Sequence, residues 1–327
     1  MSALWIGFFI FVAVLLFFDL FVLNKEDHVP RTREALGWTS MWVTIALAFS
    51  AVIYFAYENG WVVSELTGRN AVIKYITGYL VELSLSMDNV FVIAVIFNYF
   101  QVPPKYQHRV LFWGILGAVF FRLAMILAGV YLLQQFDWMF YAFGALLLYS
   151  AYKMLNQSEE VHPSENPVVK AVKRMFPVTN DYHGHDFFVK RQGITFVTPL
   201  FIALMMVETT DVIFAVDSIP AILAITTDSF LVFSSNILAI LGLRSLYFVL
   251  SSMINKFELL KYSLALILVF VGVKMLLHEV WHPAEWVSLA VIFVLLTGGV
   301  LLSLLSPAPA SAPDIEDPTK LTPEKEE

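Results

Sequence analysis

Two short stretches of this 327-residue chain put ionisable groups where hydrocarbon should be. The first, "ELSLSMDN", runs from Glu82 to Asn89, and the second, "VETTDVIFAVDS", from Val207 to Ser218. Between them they hold five carboxylates, Glu82, Asp88, Glu208, Asp211 and Asp217, with Asn89 and Ser218 alongside. An ionised acid near the centre of a bilayer costs on the order of 3 kcal/mol, so five isolated ones would cost on the order of 15 kcal/mol. They need partners. Arg122 and Arg244, deep in other apolar stretches, are the internal cations. Five negative charges less two positive ones leave three for protons, a bound cation, or both. A site built from carboxylate, amide and hydroxyl oxygens suits a hard divalent ion such as Mn²⁺, Mg²⁺ or Ca²⁺.

On a helix, Glu82, Ser86 and Asn89 share one face, and Asp211, Ala215 and Ser218 share the matching face. Asp88 and Asp217 then point about 120° away on an ideal helix. All these acids reach one pocket only if a helix breaks or the pocket lies between several helices. Pro220 offers a break, because it has no N–H for the carbonyl of Val216. The competing reading is that the acids pair with Arg122 and Arg244 only to fix helix packing, a role that suits Glu82 and Glu208 best. Asp19, near the end of the first apolar run, either joins the site or faces the interface.

The elements that must position these residues are long and apolar. The chain is 59% hydrophobic and 14% charged, too little polar surface for a soluble domain of this length. Apolar runs of about 20 residues recur throughout, without the ten-residue alternation of a barrel. The expected class is an all-α, polytopic membrane helix bundle of about nine spans, at 4–23, 38–57, 72–100, 110–134, 138–155, 195–225, 230–254, 261–278 and 285–305. The third and sixth exceed a straight crossing and must tilt, break or protrude. The first lacks a basic leader and a cleavage site, and reads as a retained helix. Lys25, Arg31, Arg33, Lys105, Arg109, Lys170, Lys173, Arg174, Lys190, Arg191, Lys256, Lys261, Lys320 and Lys325 all fall on one side if the N-terminus is outside, against Arg69 and Lys74 on the other. This places the C-terminus in the cytoplasm. Lys153 and Lys274 read as snorkelling to opposite interfaces.

An internal echo sets the organisation. "ELSLSMDN" at 82–89 overlays "DVIFAVDS" at 211–218, Arg122 corresponds to Arg244, and residues 135–155 overlay 256–276 without a gap, ending in the same Lys-Met-Leu. A three-span unit repeated once enters from the opposite side the second time, which is the inverted repeat of many secondary transporters. The expected units are an N-terminal two-helix segment (1–71), transmembrane repeat 1 (72–155), a cytoplasmic loop (156–194), transmembrane repeat 2 (195–278), a last helix (279–305) and a disordered acidic tail (306–327). Within the loop, "NPVVKAVKRMF" suggests a short amphipathic helix on the membrane surface.

The chain has no cysteine, which removes thiolate metal sites, disulfides and dithiol redox chemistry. No histidine lies mid-span: His28, His108, His278 and His282 sit near span ends. His183 and His185 lie in "DYHGHDFF" with Asp181 and Asp186, where a polar loop is the preferred reading over a metal patch. No phosphate-binding loop, nucleophile elbow or nucleic-acid module is visible, so neither an enzyme nor a nucleic-acid partner is expected, and no covalently bound cofactor.

"ELSLSMDNVFVIAVIF", "VETTDVIFAVDSIPAILAITTD" and "SSNILAILGLRSLYFVL" closely resemble the TerC family of bacterial integral membrane proteins, particularly its Alx-like members. The resemblance covers roughly residues 5–305. It implies a protein of the bacterial inner membrane, in a family named for tellurium resistance whose better supported role is manganese export. It also implies that Glu82, Asp88, Asn89, Asp211 and Asp217 line the ion path. The leading expectation is Mn²⁺ efflux by alternating access with proton counter-transport. In this scheme Asp88 and Asp217 are primary ligands, Glu82 and Asp211 coordinate or exchange protons, Asn89 and Ser218 complete the shell with Glu208 nearby, and Arg122 and Arg244 hold carboxylates when the metal leaves. Ca²⁺ or Na⁺ antiport through the same acids is the second reading. A non-transporting membrane protein supporting metal or tellurite stress, under the family's older redox-modulator label, is the third. The expected partners are the lipid bilayer, metal ions and protons.

Overall fold

In a computed structural model, residues 2–19, 32–62, 64–156, 166–179, 181–251, 260–281 and 283–305 are described. Lys25, Arg31, Lys256, Lys320, Lys325, His28, His282 and the whole 306–327 tail lie outside them. Eleven helices and one hairpin follow in order: α1 (Ser2–Phe18), α2 (Thr32–Glu58), α3 (Gly68–Tyr99), α4 (Pro104–Gln135), α5 (Met139–Asn156), α6 (Pro167–Met175), β1 (Phe188–Arg191), β2 (Ile194–Val197), α7 (Pro199–Leu223), α8 (Ser229–Leu241), α9 (Leu243–Ser251), α10 (Leu260–Leu276) and α11 (Glu285–Leu305). The architecture is an all-α membrane bundle. Its outer surface is apolar, with Phe120 69%, Ile6 59% and Leu302 60% exposed, as a surface meeting lipid requires.

Length and composition alone support fewer spans than nine. Among the described residues, α2, α3, α4, α7 and α11 are long and apolar enough to cross a membrane, and α8 with α9 makes a sixth if the pair counts as one. The other three expected spans, α1, α5 and α10, are 17, 18 and 17 residues long and do not meet that measure. The expected 230–254 span is interrupted: α8 and α9 meet at Gly242 with a 43° bend. The expected break at Pro220 is absent. α7 runs through it and ends three residues later, so the proline costs the bond to the Val216 carbonyl without ending the helix there.

α3 is the most buried of the five single-helix spans, with 61% of its apolar window inside the bundle, and α8 is buried almost throughout. It packs against α2, α7, α8, α9 and α11, and Tyr75 donates to the Ala46 carbonyl of α2 at 2.8 Å. At 32 residues it is about 48 Å long, well beyond the ~30 Å hydrocarbon core. α3 packs on α8 and α4 on α7, while α5 lies along α10. That last pair runs antiparallel: Phe140 stacks on His278 with ring centroids 4.3 Å apart, and Gly144 crosses Gly272 closely enough that a Cβ on either would meet the other's carbonyl oxygen at 3.0–3.1 Å. The buried positions Gly144, Leu147 and Ala151 of α5 and Ala265, Leu268 and Gly272 of α10 coincide in the ungapped overlay of the two sequences. Small residues there let the backbones approach, the usual basis of helix association in lipid.

The connection between α5 and α7 holds more structure than its sequence suggested. α6 forms where the amphipathic helix was expected, with the Asn166 side chain accepting from the Val168 and Val169 amides, but its Val169 is buried and the helix packs on α7. The β1–β2 hairpin was not anticipated. Gln192 and Gly193 both take positive φ, 50° and 82°, as a two-residue primed turn demands. The hairpin uses residues assigned to the sixth span, so α7 starts at Pro199, capped by Thr198. The segment is tied to the α3–α4 turn by the Tyr182 hydroxyl, which donates to the Phe100 carbonyl at 2.6 Å. Burial pushes that hydroxyl up to about 12, so it remains a donor at any physiological pH.

Candidate functional site

Arg122 of α4 is 0% exposed and organises the centre of the bundle. Its Nε and Nη2 donate to the two Asp211 oxygens at 3.2 and 2.9 Å, a bidentate fork. Its Nη1 is ion-paired with Glu82 Oε1 and reaches Ser218 Oγ at 3.2 Å and Asn236 Oδ1 at 3.4 Å. Asn236 Nδ2 donates to Glu82 Oε2 at 2.9 Å, and Ser86 Oγ to Oε1 at 3.3 Å. One guanidinium thus joins an acid from each of the two acid-bearing helices, with the other oxygens supplied by α3, α7 and α8. Glu82 sits near Ser218 and Asn89 near Asp211, so α3 and α7 present their two stretches in opposite directions.

Asp88 and Asp217 stand apart from this cluster. They line one cavity of about 60 Å³ with Asn89, Ser150, Lys153 and Ser218. That exceeds the ~10–15 Å³ one water needs, so there is room for an ion with part of its hydration. Ser150 of α5 donates to Asp217 Oδ1 at 2.5 Å. A second, smaller cavity of about 20 Å³ is lined by Asn89, Thr210, Asp211 and Arg244. Asn89 and Phe214 line both and form the partition between them.

The sequence-nominated residues therefore fall into adjacent groups rather than one cage. Among the described residues no three acids or histidines are gathered as a metal-holding set. Glu82, Asp211 and Ser218 contact Arg122; Asp88, Asp217, Asn89 and Ser218 line the larger cavity. Glu208 is in neither. Its carboxyl rests against α4 where a Cβ on Gly117 would overlap it, and its Oε2 is buried without a hydrogen-bond partner among the described residues. Asp19, 6% exposed, pairs with Arg244 at 2.9 Å inside the bundle. Lys274, in the last turn of α10, donates to Ser288 at 3.1 Å, and Lys153 lines the Asp217 cavity. His183 Nε2 meets Arg191 Nη2 at 3.0 Å, His185 packs edge-on to Tyr106, and His108 packs on Phe248.

Three contributors escaped the sequence reading. Asn236 follows two serines in an otherwise apolar run, and that polar run was its one available signal. Ser150 and Lys153, three residues apart on one face of α5, gave none. Asn236 is 0% exposed, and Asn236→Ala would strip a donor from Glu82 and an acceptor from Arg122. Leaving such buried groups unpaired costs about 1–3 kcal/mol. Thermal unfolding in detergent should show that loss, and an unchanged midpoint would mean water replaces the amide.

Comparison with known proteins identifies the family. The model of the integral membrane protein TerC family matches residues 67–310. An uncharacterized membrane protein of Myxococcus xanthus is 44% identical over 316 residues, 96% of either chain. A Salmonella typhi protein named "Putative membrane-bound redox modulator Alx" is 44% identical over 300 residues, 90% of this chain and 91% of that one. Its namesake from Escherichia coli K12 is 43% identical over 299 residues, again 90% and 91%. No solved structure matches. The matched segment contains both acid-bearing helices, Arg122 and Arg244, and on these grounds the chain belongs to the TerC family of integral membrane proteins.

Proposed function

We propose that this protein exports divalent manganese across the bacterial inner membrane by alternating access, with protons as the counter-ion. The observation that carries the reading is the cavity shared by Asp88 and Asp217, one acid from each acid-bearing helix, with amide and hydroxyl oxygens around them. Two carboxylates balance one divalent ion, and the oxygen set suits a hard cation. Arg122 is ion-paired with Glu82 and Asp211, which leaves Asp88 and Asp217 as the acids of the cavity. Arg244 reaches the smaller cavity beside Asp211. The antiparallel crossing of α5 with α10, the opposed α3 and α7 stretches and the matching buried positions support an inverted repeat, and rocking of one repeat against the other is the natural motion for it. Cells lacking their own exporter should accumulate less manganese when they express this chain. Unchanged cellular manganese, with the protein present in the membrane, counts against export.

The name of the Alx relatives suggests redox modulation. This chain has no cysteine for thiol–disulfide exchange, which favours ion transport. Ca²⁺ or Na⁺ antiport would use the same acids, and a divalent and monovalent flux panel separates it from manganese export. The Lys and Arg distribution orients the bundle with the N-terminus outside and the hairpin in the cytoplasm. The absence of native cysteine makes this easy to test. A single cysteine at the exposed Lys190 should resist an impermeant thiol reagent in intact cells, and one at the exposed Ser64 should react. The reverse pattern overturns the orientation.

A further inference from the structure

One end of the bundle gathers basic side chains around a cavity that the transport reading does not use. Where α7 and α10 end and α5 and α11 begin, a space of about 250 Å³ is lined by Lys74, Phe140, Lys274, His278, Trp281 and Glu285, among others. Lys74 of α3 is ion-paired with Glu285 at 3.0 Å, their side chains 16% and 31% exposed. Lys274 of α10 donates to Ser288 at 3.1 Å. The two ammoniums lie near enough to repel each other, and the Glu285 carboxylate attracts both. Holding like charges together in half-buried positions is costly. An ammonium has three N–H donors, so the contact to Glu285 or to Ser288 engages only part of what each lysine offers. His278 adds an unmet polar atom. Its ring stacks on Phe140 with centroids 4.3 Å apart, and its Nδ1 is buried without a hydrogen-bond partner among the described residues.

We propose that this cavity binds a phosphate group, carried by an anionic lipid headgroup or free in solution. The donors favour phosphate over a carboxylate. A planar carboxylate is matched by the flat fork of arginine, whereas lysines are mobile point charges that suit a tetrahedral oxyanion. The space is many times the ~10–15 Å³ that one water needs, so it takes such a group with part of its hydration. Depth agrees with the chemistry. Trp281 lines the cavity, Trp286 follows Glu285, and they are 40% and 64% exposed. Exposed tryptophans at helix ends mark the boundary between membrane and water, where headgroup phosphates lie. Basic pockets between membrane helices take lipid headgroups by the same attraction. Glu285 is the internal competitor, and the incoming anion replaces it on Lys74. Asp88, Asp217 and Mn²⁺ take no part, so failure here leaves the transport reading untouched, and the reverse.

The experiment uses purified full-length protein in nanodiscs, read by thermal unfolding. In one arm the lipid is phosphatidylcholine alone, and inorganic phosphate is titrated at constant ionic strength. In the other, phosphatidylglycerol is added to the phosphatidylcholine with no free phosphate. Stabilisation by phosphatidylglycerol alone identifies the lipid as the source, and stabilisation by inorganic phosphate identifies the solute. In whichever arm responds, Lys274→Gln should weaken binding about tenfold and Glu285→Gln should strengthen it about tenfold, the scale of one charge at a partly buried site. Lys274→Gln strands no acid, because its hydrogen-bond partner is Ser288. Opposite shifts from two charge-removing variants separate a binding site from a general change in stability. No stabilisation in either arm, or a stabilisation that both variants leave unchanged, overturns the proposal.

Discussion

Asp88→Asn and Asp217→Asn are each expected to abolish manganese efflux while leaving a folded, inserted protein. An amide keeps the volume of the carboxylate and one acceptor oxygen, but loses the charge that lets a divalent ion shed water. Both side chains line the same 60 Å³ cavity, while among the described residues the hydrogen bonds of Arg122 go to Glu82, Asp211, Ser218 and Asn236. Stability should therefore change little. Since the two acids serve one ion, the double variant should be no worse than either single one, because effects within one site are not additive. Radiolabelled manganese flux in reconstituted vesicles measures all three. Half-activity in each single variant with a further drop in the double would mean the acids act separately.

Arg122→Gln should behave in the opposite order, with destabilisation first and loss of transport as its consequence. The guanidinium is ion-paired with both Glu82, 0% exposed, and Asp211. Removing one partner of such a buried network costs about 3–5 kcal/mol, chiefly because the remaining charges are stranded. The check is internal. Adding Glu82→Gln and Asp211→Asn to Arg122→Gln should recover stability, since no charge is then left unpaired, even though more of the network has been removed. Thermal unfolding of the single and triple variants decides it. A triple variant less stable than Arg122→Gln would show that hydrogen-bond geometry, not stranded charge, carries the cost.

The class of fold and the acid-bearing helices were legible in the sequence because bilayer chemistry is compositional. Long apolar runs announce helices, and Glu82 or Asp211 within one is costly enough to demand a partner. Arg122 could be named as that partner from its depth in a span, and α6 from its Asn166 cap and periodic valines. What stayed hidden leaves no compositional trace. The 43° bend at Gly242 falls inside a stretch that reads as one continuous span. Ser150 is silent because a hydroxyl inside a helix can return its proton to its own backbone, so sequence does not say that it reaches Asp217. Pro220 was over-read: its effect depends on how much helix follows, and only three residues do. The separation of Asp88 and Asp217 from Glu82 and Asp211 followed from helical angles. Which pair faced an arginine and which faced a lysine required the packing of α4 and α5.

The most direct measurement is cation flux in proteoliposomes containing the purified protein, with Mn²⁺, Mg²⁺, Ca²⁺ and Na⁺ compared at two pH values across an imposed proton gradient. Manganese export predicts Mn²⁺ movement that the proton gradient drives and that Asp217→Asn eliminates. A wild-type protein, inserted and thermally stable, that moves none of these cations at either pH would contradict it.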